Sequence, residues 1–278
     1  MTSFQAFLEA HPLYAEVYRA LDRKVAMAAV AVHSVQGERL GPVADRVLGY
    51  AQTRFGAGIG RRYSERVRRL GELQRRFDRD PRVENLGDPG AAVSREDYHI
   101  ALLLSIVFTN HRFEIMQRLD EFFGSLPAAG RLAAIGSGTG YEMARAAELL
   151  PGWEIESVDI DPAAEAEGRQ MMKYFGVTSS FARELAAGPY DAIVACEILE
   201  HLPDPAGALR EWREKLRGRM FLTMAVNIAQ EDHVYLWRNL EECRTELREF
   251  EVVDEWSVAQ SAWPGAEFRR GNYIAVVK

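Results

Sequence analysis

The chain has 278 residues, of which 47% are hydrophobic and 27% charged. These are the proportions of a folded globular protein with room for one large domain or two ordinary ones, and they exclude disordered and collagen-like classes. The net charge of −7 is unevenly divided: residues 1–125 hold 18 Lys+Arg against 16 Asp+Glu, and residues 126–278 hold 16 against 25. An acidic second part argues against a general nucleic-acid surface, which needs clustered cations, and favours a small-molecule substrate.

The opening segment MTSFQAFLEAHPLYAEVYRALDRK has no basic start followed by an apolar core and a small-residue cleavage site, so a cytoplasmic location is expected. Residues 1–125 place apolar side chains at helical spacing, as in Phe4, Phe7, Leu8 and again Val67, Leu70, Leu73, Phe77. Breaks are expected at Gly37–Pro42, Gly56–Gly60 and Gly87–Gly90. Eight arginines stand between Arg61 and Arg79. They form either the solvated side of an amphipathic helix or a grip for RNA or another anion. Ser94, with Asp97 three residues on, predicts an N-cap opening one long helix over 95–123, closed by Pro127 and Gly130. Its longest apolar run, Ile100–Phe108, is too short to span a bilayer, and no membrane contact is expected.

From residue 131 short apolar runs alternate with helical stretches, the pattern of βαβ units in a mostly parallel sheet. Strands are predicted near 131–136, 154–159, 177–181, 190–195, 219–225, 250–258 and 271–277. The stretch SAWPGAEFRRG between the last two is turn-forming, so those two strands are expected to pair antiparallel at the sheet edge. The fold class is therefore α/β, a Rossmann-like sheet over 126–278 preceded by a helical region over 1–125. Cys196 and Cys243 have no partner at metal spacing and read as free thiols; no metal motif is visible.

The segment RLAAIGSGTGYEMARAAELL reads as a buried strand, a glycine turn and a helix starting near Tyr141. Glycines there permit positive φ and close approach of a ligand to the backbone, while the N–H groups of the helix start face that ligand. Asp159 ends the next strand, 21 residues after Gly138. A carboxylate in that place accepts hydrogen bonds from ribose hydroxyls.

The loop spacing is G-x-G-x-G, not the G-x-G-x-x-G of dinucleotide sites, and it resembles motif I of the class I S-adenosylmethionine-dependent methyltransferases. ESVDIDP resembles that family's second motif, and YDAIVACEILEHLPDP its fourth-strand motif with the following turn. The resemblance covers about 126–278 and implies S-adenosylmethionine as cofactor. Gly136, Ser137, Gly138 and Gly140 would then lie along the methionine part, and Asp159 would hold the ribose. Ile160 would lie against the adenine, the backbone at Ala182 would meet its edge, and Cys196 and Glu197 would sit beside the cofactor. Two residues depart from the family: Ala134 replaces an acid two positions before the first glycine, and Phe181 stands where an acid commonly follows the third strand.

The substrate is expected above the C-terminal ends of the strands, with the helical region as its cover. His99 and Asn110, nearly three turns apart in the predicted helix, would share a face and either enter the site or be satisfied by neighbouring backbone. Tyr141 follows the glycine loop and either faces the sulfonium or packs the helix start. His233, in the polar stretch after the fifth strand, is the first choice for a general base. His201, in the Glu200–Pro203 turn, reads as structural.

The function so implied is methyl transfer to a small molecule in bacterial secondary metabolism. One alternative is a lyase or cyclase that turns the cofactor on itself and releases methylthioadenosine, for example forming azetidine-2-carboxylate. Ala134 is the feature behind it. A remote alternative is a non-catalytic RNA-associated protein using the arginine-rich helix. A homodimer is left open.

Overall fold

The computed structural model describes residues 3–87, 94–260 and 268–278. The expected turns at 88–90 and 261–267 lie outside these residues. Seven helices come first: α1 (Phe4–Ala10), α2 (Pro12–Arg19), α3 (Arg23–Gln36), α4 (Leu40–Phe55), α5 (Ile59–Arg79), α6 (Arg95–Phe108) and α7 (Asn110–Gly124). Side-chain caps begin several of them. Ser3 accepts from Ala6 N–H, Asp22 from Val25 N–H, and Ser94 from Asp97 N–H, as the sequence predicts for α6.

The long helix expected over 95–123 is two helices. Thr109 breaks it with extended backbone, φ −135° and ψ 134°. Its hydroxyl donates to Ser105 O at 2.7 Å, and Asn110 follows. Short polar side chains of this kind offer the backbone local partners that compete with the helix, without any Gly or Pro to mark the break.

The sheet half contains β1 (Gly130–Ile135), α8 (Tyr141–Leu149), β2 (Trp153–Val158), α9 (Pro162–Phe175), β3 (Ser180–Ala182), β4 (Tyr190–Ala195), α10 (Pro205–Lys215), β5 (Leu216–Val226), α11 (Leu240–Glu246), β6 (Val252–Ala259) and β7 (Gly271–Val277). Strand order is β3-β2-β1-β4-β5-β7-β6. All neighbours are parallel except that β7 runs antiparallel to both β5 and β6. β3 begins later than its sequence suggests. Gly176 takes a left-handed turn (φ 67°), and Val177 N–H is used to bond Met172 O, closing α9.

Alternation along the strands builds two cores. Leu132, Ala134, Ala192, Val194, Phe221, Ile274 and Val276 face one side, where they join α7, α8, α9 and the N-terminal helices in one continuous cluster. Ala133, Ile193, Ala195, Met220, Leu222, Tyr273 and Ala275 face the other, against α10 and α11. Central strands buried on both faces read as continuous apolar runs for this reason. β6, at the edge, instead exposes Asp254 and Glu255, charges that discourage further strand pairing. Among the described residues, no helix is long and apolar enough to cross a membrane.

The helical region is fastened over the sheet at several buried polar contacts. Glu167 on α9 accepts from Tyr50 Oη at 2.6 Å and Arg54 Nε at 3.1 Å. Arg66 on α5 is buried in an ion pair with Glu231, which lies in the loop after β5. Gln74, also on α5, bridges that loop by donating to Asn227 O and accepting from Ala229 N–H. Leu73, Phe77 and Leu86 pack there against Ala229 and Leu236.

Candidate active site

Strand order reverses between β1 and β4, and in open α/β sheets the ligand crevice forms there, outside the carboxyl ends of the strands. Three glycines of the β1–α8 turn, Gly136, Gly138 and Gly140, have φ of 67°, 46° and 78°. A Cβ on Gly136 would sit 2.6 Å from Ile198 Cδ1, and one on Gly140 would sit 2.8 Å from Gly168 Cα. At Gly138 the nearest atom is 3.8 Å away, so the backbone there is open to a ligand. Gly140→Ala is expected to lower stability by about 3 kcal/mol, combining left-handed strain with overpacking against fixed backbone. Urea denaturation of the variant measures this, and an unchanged midpoint would refute it.

Asp159 stands at the end of β2 beside this turn. Its carboxylate accepts from Gly138 N–H at 3.1 Å and from Asp161 N–H at 2.9 Å, which fixes its orientation. Ser157 and Ser137 share a hydroxyl hydrogen bond of 2.6 Å beneath the loop. Ile160 is 86% exposed, an uncovered apolar side chain directly after the carboxylate. At Ala182 the carbonyl accepts from Asp159 N–H at 3.1 Å, tying β3 to the same edge. Open glycine backbone, an oriented carboxylate and an uncovered apolar surface fit a nucleoside with a charged tail.

Cys196 and Glu197 directly follow β4. Glu197 has φ 53°, unusual for a residue with a side chain, and it is held there by three contacts. Its N–H donates to Thr223 Oγ1 at 2.7 Å, the Thr223 hydroxyl donates back to Oε1 at 2.7 Å, and Asn272 Nδ2 donates to Oε1 at 2.6 Å. The other oxygen faces Arg112 at 3.7 Å. Arg112 is buried and also meets Glu142 at 3.5 Å. Burial opposes its charge, but Glu197 and Glu142 outweigh it and hold the guanidinium above its ordinary pKa. Burial, followed by Glu142, pushes the Cys196 thiol well up, so it is no thiolate nucleophile. A cavity of about 10 Å³ is lined by Ala134, Gly136, Ser137, Glu142 and Cys196 among others.

The remaining sequence candidates do not converge. Asn110 accepts from Gln36 Nε2 at 2.6 Å, while His99 lies 3.8 Å from Glu167 on a different helix, so the shared face expected for them is absent. Tyr141 is buried in the core that the sheet shares with the helices, and that burial pushes its phenol pKa up. His233 was expected to titrate near neutrality. Instead burial, with His201 beside it, lowers its pKa to about 3. Its Nδ1 meets Ile228 O at 2.9 Å. His201 and His233 stack edge-on with ring centres 4.9 Å apart.

Arg112, Glu142, Thr223, Asn272 and Glu200 escaped the sequence reading. No local signal marks Arg112, since α7 also carries Glu114, Arg118, Asp120 and Glu121. Nothing local marks Thr223 or Asn272, which meet Glu197 from two other strands. The arginine run proves divided: Arg62 pairs with Glu96 and Asp97, and Arg66 turns inward, while Arg61, Arg68, Arg69 and Arg75 are exposed.

Residues 108–259 match the family model described as a methyltransferase domain. No curated protein sequence matches the chain. Among solved structures, the N-methyltransferase NodS from Bradyrhizobium japonicum WM9, in complex with S-adenosyl-L-homocysteine, is 18% identical with a TM-score of 0.50, over 75% of this chain and 96% of that one. Magnesium protoporphyrin IX methyltransferase (ChlM) from Synechocystis PCC 6803, with bound S-adenosylmethionine, is 19% identical with a TM-score of 0.48, over 73% and 90%. The [4+2]-cyclase SpnF is 18% identical with a TM-score of 0.48, over 58% and 80%. At 18% identity the likeness to NodS speaks for the fold, and the family model, spanning more than half of the chain, for the family. The chain belongs to the methyltransferase-domain family: it is an S-adenosylmethionine-dependent methyltransferase on a Rossmann-like sheet.

Proposed function

We propose that the enzyme methylates a small molecule held between the sheet edge and the helical region 1–125, with 126–278 as the cofactor-binding part. The observation that carries this reading is the fastening of α5 across the loop after β5, through Arg66–Glu231 and Gln74. A cover tied down by buried polar contacts suits an enclosed pocket, where water is excluded and an acceptor is aligned. An open surface for a polymer would leave Arg66 facing solvent.

In this reading Asp159 accepts the ribose hydroxyls, Ile160 lies against the base, and the backbone at Ala182 meets its edge. Gly136, Ser137, Gly138 and Gly140 lie along the amino-acid tail, with Cys196 and Glu197 closing the far side. Glu142 supplies the carboxylate missing at Ala134, since both residues line the same cavity. That substitution removes the motive for a self-reaction of the cofactor. S-adenosylmethionine, when bound, brings a methyl group already activated on a sulfonium, so the protein's task is alignment. Tyr141 serves the helix start, and His99 and Asn110 fasten the cover. His233, neutral across physiological pH, acts as a lone-pair donor and not as a base tuned to neutrality.

Incubating the protein with S-adenosylmethionine, with and without a panel of small hydroxyl, amine and carboxyl acceptors, tests the reading by chromatography of the products. S-adenosylhomocysteine appearing only with an acceptor is expected. Methylthioadenosine formed without any acceptor would establish the self-reaction instead. Salt-sensitive RNA binding with no turnover on any acceptor would favour the RNA-associated role.

A further inference from the structure

Glu200 is 1% exposed, and neither of its carboxylate oxygens has a hydrogen-bond partner among the described residues. A buried carboxylate without a partner is costly, and an orphan of this kind calls for an unseen cation or donor. Two histidines stand against it. Nδ1 of His233 meets Ile228 O at 2.9 Å, and Nδ1 of His201 meets Asp232 O at 3.2 Å. A carbonyl can only accept, so each contact requires the proton on Nδ1, and in the neutral imidazole the lone pair is then on Nε2. Histidines that ligate metals are oriented in this way by carbonyl or carboxylate partners.

We propose that Glu200, His201 and His233 form a binding site for one divalent transition-metal ion. One ligand atom from each residue lies within 4.8 Å of the others. Donors around a bound zinc stand roughly 3.3 Å apart, so side-chain movements of about an ångström close the set. The backbone is assembled in advance. Glu200 O accepts from both Val234 N–H, at 2.9 Å, and Tyr235 N–H, at 3.1 Å, binding the Leu199–His201 turn to the loop that carries His233. Two imidazoles and one carboxylate select zinc, cobalt or a neighbouring first-row ion over magnesium or calcium, which take all-oxygen sets. Three protein ligands leave coordination open to water or another oxygen donor. The site is separate from the glycine loop yet near it, because Ile198, two residues before Glu200, is the side chain that packs on Gly136.

Co²⁺ titration of the full chain after removal of metal by chelator and dialysis tests the proposal through the visible absorption of the bound ion. Saturation at one Co²⁺ per chain is expected, with competition by Zn²⁺. His201→Ala and His233→Ala should each weaken binding at least about 100-fold, more than loss of an outer partner causes, while His11→Ala, on α1's C-terminal side, leaves it unchanged. Circular dichroism checks the fold of each variant. His201 is partly exposed, so its variant keeps the test usable if His233→Ala does not fold, and Glu200→Gln serves as a further one. Absence of saturable Co²⁺ and Zn²⁺ binding, or equal binding by folded His201→Ala and wild type, would overturn the site. Cofactor affinity, measured separately with S-adenosylhomocysteine, reports on the methyltransferase reading independently of this result.

Discussion

Asp159→Ala is expected to weaken binding of S-adenosylmethionine and of S-adenosylhomocysteine about 100-fold. A carboxylate accepting two ribose hydroxyls contributes roughly 1.5 kcal/mol or more per hydrogen bond, and 1.4 kcal/mol is a factor of ten. The loss has a second source. Asp159 accepts from Gly138 N–H and Asp161 N–H, so its removal also loosens the turn that approaches the ligand. Asp159→Asn keeps one acceptor and should fall between variant and wild type. Isothermal titration calorimetry with S-adenosylhomocysteine makes the measurement without turnover. An affinity within about threefold of wild type would remove Asp159 from the cofactor site.

Arg112→Met should lower unfolding stability by about 1–3 kcal/mol, the cost of leaving two half-buried carboxylates without their shared, buried cation. Glu142 and Glu197 both face the buried guanidinium and are themselves half-buried, so water replaces it only in part. Stability of the triple variant Arg112→Met, Glu142→Gln, Glu197→Gln should recover in part, because neutral amides need no counter-charge. Urea denaturation curves decide between the outcomes. A loss below about 1 kcal/mol in the single variant would mean that the three side chains are wet in solution and that the network does not hold the end of β4.

Much of the fold was legible because its signals are local. Most strands of the sheet half announce themselves as short apolar runs, and β4 and β7 begin and end where the pattern places them. The expected pairing of the last two strands is present, with β7 inserted between β5 and β6. The break at Thr109 was not legible. It rests on a local competition between side-chain and helical hydrogen bonds, which periodicity does not register. With that break went the shared face of His99 and Asn110, since a spacing argument holds only within one continuous helix.

The cofactor loop is written in consecutive residues, three glycines and an acid at the end of the next strand. A backbone that must adopt positive φ demands glycine at those positions, so sequence alone determined the strand–turn–helix unit and the Rossmann-like class, and the resemblance of its motifs to those of class I methyltransferases carried the expectation of S-adenosylmethionine. The surroundings of that loop belong to the tertiary structure. Glu197 meets Thr223 and Asn272 from β5 and β7, Arg112 reaches it from α7, and Glu200 and His201 meet His233 across a gap of more than thirty residues. Such groups gain their partners only when distant strand ends are brought to one edge. Burial and charge proximity are properties of position in space, and the chain order does not carry them.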